Sequence, residues 1–212
     1  GKFDDAFVYA ERMAMKRVRD EAARANYPMP KEEAPLSARD VQWLLDEKTA
    51  VIRYMLTDGG LLIWLIDSDG IHGKTLRVSE EQLKEWIFDF SSSLDKKEPM
   101  DRLSAILINP VADLLAKKKQ IYIIPDPLLS SLLFPVLKIG KESLVDIFEL
   151  SYVPSAYLLN AAYEKRNLNK VNILISQSDS YTDDYAEAIG SKTPIFAALK
   201  SDKTKFLDMA SN

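Results

Sequence analysis

The stretch IIPDPLLSSLLFPVL, residues 123–137, decides how the chain is read. An apolar run from Gln120 to Ile124 ends on Pro-Asp-Pro, passes a serine pair and re-enters an apolar run broken by Pro135. Proline has no N–H for a ladder and fixes φ, so a strand over 120–124 stops at Pro125 and a rigid turn follows. Pro125, Asp126, Leu129 and Phe134 read first as the makers of a packed turn. Ser130 and Ser131 have no activating base in view, which argues against a serine nucleophile.

Working outward, the residues after the turn alternate between strand and helix. Strands are expected at 145–152 and 170–176, with a helix from Pro154 and Ser155 to about Glu164 between them. KVNILIS within the second strand is a short apolar run bounded by polar residues, as in central parallel strands. KFLDMAS (205–211) looks like the start of another core strand. This alternation predicts an α/β fold with a parallel or mixed three-layer sheet.

Upstream, Phe3, Phe7, Ala10, Ala14, Val18 and Ala22 recur at spacings of three and four, so residues 4–25 read as one amphipathic helix. Three prolines in NYPMPKEEAP (26–35) make a linker. Ser37 with Asp40 is a capping box for a helix from Ala38 to Asp46. Residues 49–78 carry two apolar runs around Asp-Gly-Gly and Ser-Asp-Gly, the turn chemistry of an antiparallel meander. His72 falls at the second turn and reads as a surface residue. Ser79 and Gln82 open a capped helix through Leu94 whose stripe of Leu83, Trp86, Ile87 and Phe90 reads as core. After the break DKKEP a helix is expected from Asp101 to about Ile108. Asn109 and Pro110 look like a fresh cap and first position, with helix to Ala116 and Lys117 to Lys119 at its C-terminal end.

The 212 residues are 47% hydrophobic and 28% charged, the balance of a folded domain. The net charge is −4 and the basic residues are scattered, which argues against nucleic-acid partners; KRVR (16–19) lies among acids on a solvated helix face. No apolar run is long enough to span a bilayer, so a cytoplasmic protein without membrane contact is expected. Cysteine is absent and His72 is the only histidine, which removes disulfides, thiolate metal sites and most catalytic pairs from these residues. The carboxylates Asp179, Asp183 and Asp184 match no metal-loop spacing, and there is no glycine-rich phosphate loop. No cofactor is expected. The chain opens Gly1-Lys2 in place of methionine, giving the expectation of a cut or processed piece.

The turn also carries a resemblance. PDPLLSSLLFPVL resembles the Pro-Asp-Gly-x-Leu-x-x-Leu-Pro-Phe-x-x-Leu signature of the CHAT family, caspase- and separase-related domains that accompany tetratricopeptide repeats. Pro125, Asp126, Leu129, Leu132, Phe134 and Leu137 match it, while Pro127 stands for its glycine and Leu133 for its proline. ELSYVPSAYLL (149–159) is similar to the family's strand-to-helix junction, with Tyr152, Pro154, Ser155 and Leu158 in place. YAERMAMKRVRD (9–20) is similar to the Ala-Glu-Arg-rich helix that joins repeats to domain.

The resemblance implies a caspase-like three-layer sandwich with a mixed or parallel central sheet, preceded by the antiparallel meander and helices. It implies a linker helix at 1–30 after upstream repeats and the N-terminal part of a CHAT domain at 36–212. Active members pair a histidine, in a His-x-Ala-Thr-His-Gly type of sequence after a core strand, with a cysteine after the next strand. The imidazole favours the thiolate that attacks the peptide carbonyl. Laid over that histidine stretch, LDMASN (207–212) places Asp208 and Asn212 at the two histidines, and asparagine cannot act as a base near neutral pH. The expected function is therefore the N-terminal part of a cysteine-peptidase module, inert without its dyad. The alternative is a catalytically dead module that serves protein interaction or regulation. Its expected partner is another protein or the rest of the same polypeptide. A stand-alone hydrolase of another kind finds no nucleophile with a base.

Overall fold

The computed structural model describes residues 2–24, 34–92 and 97–166, which lie within one compact unit. A helix α1 (Lys2–Arg24) is followed by a short α2 (Ala38–Leu44) and the meander β1 (Thr49–Thr57), β2 (Gly60–Asp67) and β3 (Gly70–Leu76). Then come α3 (Glu80–Ser91), α4 (Lys97–Leu107), a 3-10 helix over Asn109–Leu115 and β4 (Gln120–Ile124). Two 3-10 turns (Pro127–Leu129 and Phe134–Val136) lead to a small hairpin, β5 (Lys138–Ile139) and β6 (Glu142–Ser143). A single helical turn α5 (Leu144–Ile147), β7 (Glu149–Tyr152) and α6 (Ala156–Arg166) complete the described chain.

Five strands form one mixed sheet in the order β3-β2-β1-β4-β7. The meander pairs antiparallel, with Ile52 opposite Leu65, while β1 with β4 and β4 with β7 are parallel. Alternation sorts the side chains. Ala50, Ile52, Tyr54, Ile63 and Leu65 face a core closed by Leu83 and Phe90 of α3 and Leu103 and Leu107 of α4. Val51, Trp64, Ile66 and Ile124 face a second core closed by Phe7 and Ala10 of α1, Val41 of α2 and Leu159 of α6. The central strands are buried on both faces, so they read as unbroken apolar runs rather than alternating ones.

Two glycines fix this geometry. Gly60 turns the β1–β2 hairpin at φ 118°, and a Cβ there would stand 2.1 Å from the Leu76 carbonyl oxygen. A Cβ on Gly73 would stand 2.5 Å from the Phe3 ring, so β3 admits α1 only where a side chain is missing.

Both capping boxes form as expected, Ser37 with Asp40 and Ser79 with Gln82. Several expectations are corrected. Helix α2 ends at Leu44, before Asp46. Helix α4 begins at Lys97, because Pro99 falls in a first turn whose N–H groups have no partner within the helix. Asn109 is the first residue of a 3-10 helix with no side-chain cap, not a cap itself. His72 lies within β3 opposite Leu65, not at the turn. The strand expected at 145–152 is helical at its start; Leu144 and Phe148 stand four apart and are both buried, a helical spacing, so only Glu149–Tyr152 pairs with β4. The expectations for 25–33, 170–176 and 205–211 lie outside the described residues.

Candidate functional site

Strand β4 leaves the sheet at Pro125, and Asp126 then takes two tasks. At φ −62° and ψ 152° it caps the turn Pro127–Leu129, with Oδ1 accepting from the Leu128 amide at 3.0 Å. Its Oδ2 accepts from the Leu56 amide of β1 at 2.9 Å, beyond the last β1–β4 pair, Arg53 with Ile124. A side-chain carboxylate thus replaces the next ladder carbonyl, and the two strands diverge without leaving that amide unpaired.

The apolar anchors lock the turn onto the sheet. Leu129, Leu132, Phe134 and Leu137 are buried in the larger core. The Phe134 ring lies 5.3 Å from that of Tyr54 and 6.1 Å from that of Tyr152, between centroids. The Tyr152 hydroxyl accepts from the Phe134 amide at 3.1 Å and donates to the Leu132 carbonyl at 3.4 Å, joining β7 to the turn. Burial raises the pKa of both tyrosines, so both hydroxyls stay protonated. Ser130 is exposed and donates to the Pro127 carbonyl, a turn bond and not a nucleophile's arrangement. Ser131 is exposed as well.

The junction after β7 leads into a buried polar cluster. Pro154 is exposed, whereas Ser155 is fully buried and caps α6 by accepting from the Leu158 amide at 3.2 Å. Its hydroxyl also donates to the Met15 sulfur. Beside it Glu11 of α1, wholly buried, accepts from the Ala156 amide at 2.8 Å and pairs with Arg53 of β1 at 2.9 Å. The Arg53 guanidinium also lies over the Phe7 ring, 5.8 Å from its centroid. Burial pushes the Glu11 carboxyl above its ordinary 4.5, against the pull of Arg53 and of the amides. One carboxylate therefore ties α1, the central strand and the start of α6 together. Sequence reading missed this pair, although both residues were marked: Glu11 lies on the apolar stripe of α1 between Phe7 and Ala14, and Arg53 is the one charge in TAVIRYMLT.

A cleft of about 830 Å³ opens where β1 and β4 diverge. It is lined by Tyr9, Met13 and Arg17 of α1, Met55 and Leu56 of β1, Glu81 of α3 and Leu128 of the turn. It lies at the carboxyl ends of two parallel strands, where open α/β sheets place their ligand sites. The structure brings the expected residues Asp126, Leu129, Leu132, Phe134, Leu137 and Tyr152 together at the turn, whereas Ser155 belongs to the Glu11 cluster. His72 stands on β3, three strands from β4. Asp208, Asn212 and the Asp179, Asp183 and Asp184 cluster lie outside the described residues. Among the described residues no group of acids and histidine is arranged to hold a metal ion, and no helix is long and apolar enough to cross a membrane. Compared with protein-family models and with curated proteins, the chain matches none.

Proposed function

We propose that this chain is the N-terminal, scaffold-forming part of a caspase-like module of the CHAT kind, with a three-layer sandwich fold and no catalytic power of its own. The packed turn at 125–137 carries the proposal. Its anchor residues fill one core beneath the carboxyl end of a central parallel strand, and Asp126 bonds at once to its own turn and to the neighbouring strand. Both departures from the family signature fit the backbone. Pro127 opens a 3-10 turn, where proline is favoured and no glycine is needed, and Leu133 sits at φ −80°, a value proline accepts. Tyr152 ties the strand-to-helix junction to that turn, and Ser155 and Glu11 tie the same junction to α1.

A second reading is a pseudo-protease that docks a protein. It is favoured by the lack of any cysteine in the 212 residues and by the degenerate overlay at Asp208 and Asn212. One experiment separates the two. The full product of the parent gene is expressed and followed for self-cleavage, with each cysteine beyond residue 212 replaced by alanine in turn. Cleavage that one such replacement abolishes makes this chain the scaffold of a peptidase. No cysteine, or cleavage indifferent to it, removes the peptidase role and leaves the docking one. A solved structure with 170–176 in a different sheet from β4 would sink the family assignment altogether.

A further inference from the structure

Helix α1 is seated on the sheet by few apolar groups, a fact that does not depend on the family reading. Its buried side chains among the described residues are Phe7, Ala10, Glu11, Ala14 and Met15, so two large apolar groups and two methyls hold it. From Lys16 to Arg24 no side chain is buried. Helices α3 and α4 press Leu83, Phe90, Leu103 and Leu107 into the opposite core. Apolar stabilisation scales with the area buried, so α1 gains less from it per turn than they do.

What α1 adds to that is polar and concentrated. Glu11 meets Arg53 at 2.9 Å and the Ala156 amide at 2.8 Å, and Met15 accepts from the Ser155 hydroxyl at 3.1 Å. Glu11 and Met15 stand about one helical turn apart and meet the same junction at 155–156, so their bonds break together. Burial outweighs attraction at both ends of the ion pair, raising the Glu11 carboxyl and lowering the Arg53 guanidinium. Deleting one partner is costly, because the other is left buried and alone. Lifting the helix is different. Glu11 departs with α1, and Arg53, which already lines the cleft, stays on β1, so both ions regain water.

We propose that α1 is a releasable strap, which lifts as one unit while the sheet and the core under α3 and α4 stay folded. The lifted form takes Tyr9, Met13 and Arg17 out of the cleft lining. It also uncovers the Trp64 ring, which Phe3 and Phe7 meet edge-on when the strap is down. The bond from Trp64 Nε1 to the Phe3 carbonyl, 3.1 Å long, goes with them. The cleft thus has a closed form and a wider one, and the ion pair is the catch between them.

The 212 residues hold no cysteine, so a single introduced thiol reports alone. Ala14→Cys puts it on the buried side of α1, and Ala50→Cys puts it on β1, facing the core under α3 and α4. Each full chain is mixed with excess aromatic disulfide reagent, and labelling is timed without denaturant and in low urea. The Ala14→Cys thiol should react about a hundredfold faster than the Ala50→Cys thiol, with a smaller but non-zero urea slope, because lifting exposes only part of the surface. Adding Phe134→Ala, on the other face, should speed the Ala50→Cys thiol about a hundredfold and leave the Ala14→Cys thiol unchanged. Glu11→Gln should speed the Ala14→Cys thiol about tenfold. Where Ala14→Cys fails to fold, Met15→Cys one residue on takes its place. Equal rates with equal urea slopes, a zero slope on α1, or an α1 thiol that Phe134→Ala also speeds overturns the strap. A rate that Glu11→Gln leaves unmoved overturns the ion pair as its catch.

Discussion

The two faces of the sheet are built on different terms. Beneath α3, α4 and the 125–137 turn the middle of the core is apolar and its hydroxyls have partners, as where Tyr54 donates to the Leu107 carbonyl and Ser104 to the Met100 carbonyl; its buried ion pair, Lys118 with Asp67 at 2.9 Å, stands at the end of β2. Beneath α1, α2 and α6 the core holds a fully buried ion pair, Glu11 with Arg53. Burying charge costs solvation that the pair's attraction recovers only with good geometry and added hydrogen bonds. Apolar contact alone lets a helix slide by small steps at little cost. A carboxylate that must meet a guanidinium and the amides at the start of α6 admits one seat. The apolar face supplies collapse, and the keyed face supplies position.

That contrast can be broken in four ways. Glu11→Ala leaves Arg53 buried without a counter-charge and strips acceptors from the start of α6, so it should cost about 5 kcal/mol. The double change Glu11→Leu with Arg53→Met should recover most of that loss; urea melts of the three proteins check both statements. A double variant as unstable as Glu11→Ala would show that the pair contributes net stability rather than position. On the other face Phe134→Ala empties a ring-sized space and should cost about 3–4 kcal/mol in the same melts. Asp126→Ala removes a cap and leaves the Leu56 amide without its acceptor, for about 2 kcal/mol.

The smallest effect lies at the edge of the core. Asp46 accepts from the Thr49 hydroxyl at 2.7 Å and from the Lys48 amide, and the Thr49 bond first of all holds its carboxyl below the ordinary 3.8. A lowered folded-state pKa gives stability that is present above 3.8 and is lost as pH falls through the folded value. The stability gap between the wild type and Asp46→Asn should therefore be small at neutral pH and close in acid. A gap that widens in acid would contradict it.

Local chemistry was legible in the sequence and tertiary chemistry was not. Ser37 with Asp40, Ser79 with Gln82 and the glycine turns of the meander act over three or four residues, and each appeared where the sequence put it. Strand β4 was legible because Pro125 ends it sharply. Residues 145–148 were mistaken for strand because an apolar run with Val145 and Ile147 hides the spacing of four between Leu144 and Phe148. In the candidate site the anchors of the turn could be named, but their partners could not. Asp126 meets an amide 70 residues away and Glu11 one 145 residues away, and no local pattern encodes such a meeting.

The bond from the Leu56 amide to Asp126 has a consequence in time. That amide lies where β1 leaves β4, and its acceptor is the carboxylate of the turn rather than a strand carbonyl. Its neighbours earlier in β1 exchange their hydrogens only when strands separate, whereas Leu56 exchanges whenever the turn lifts. One resonance therefore keeps a clock on the mouth of the cleft. Its rate, read against that of Ile52, measures how often the turn opens while the sheet stays shut.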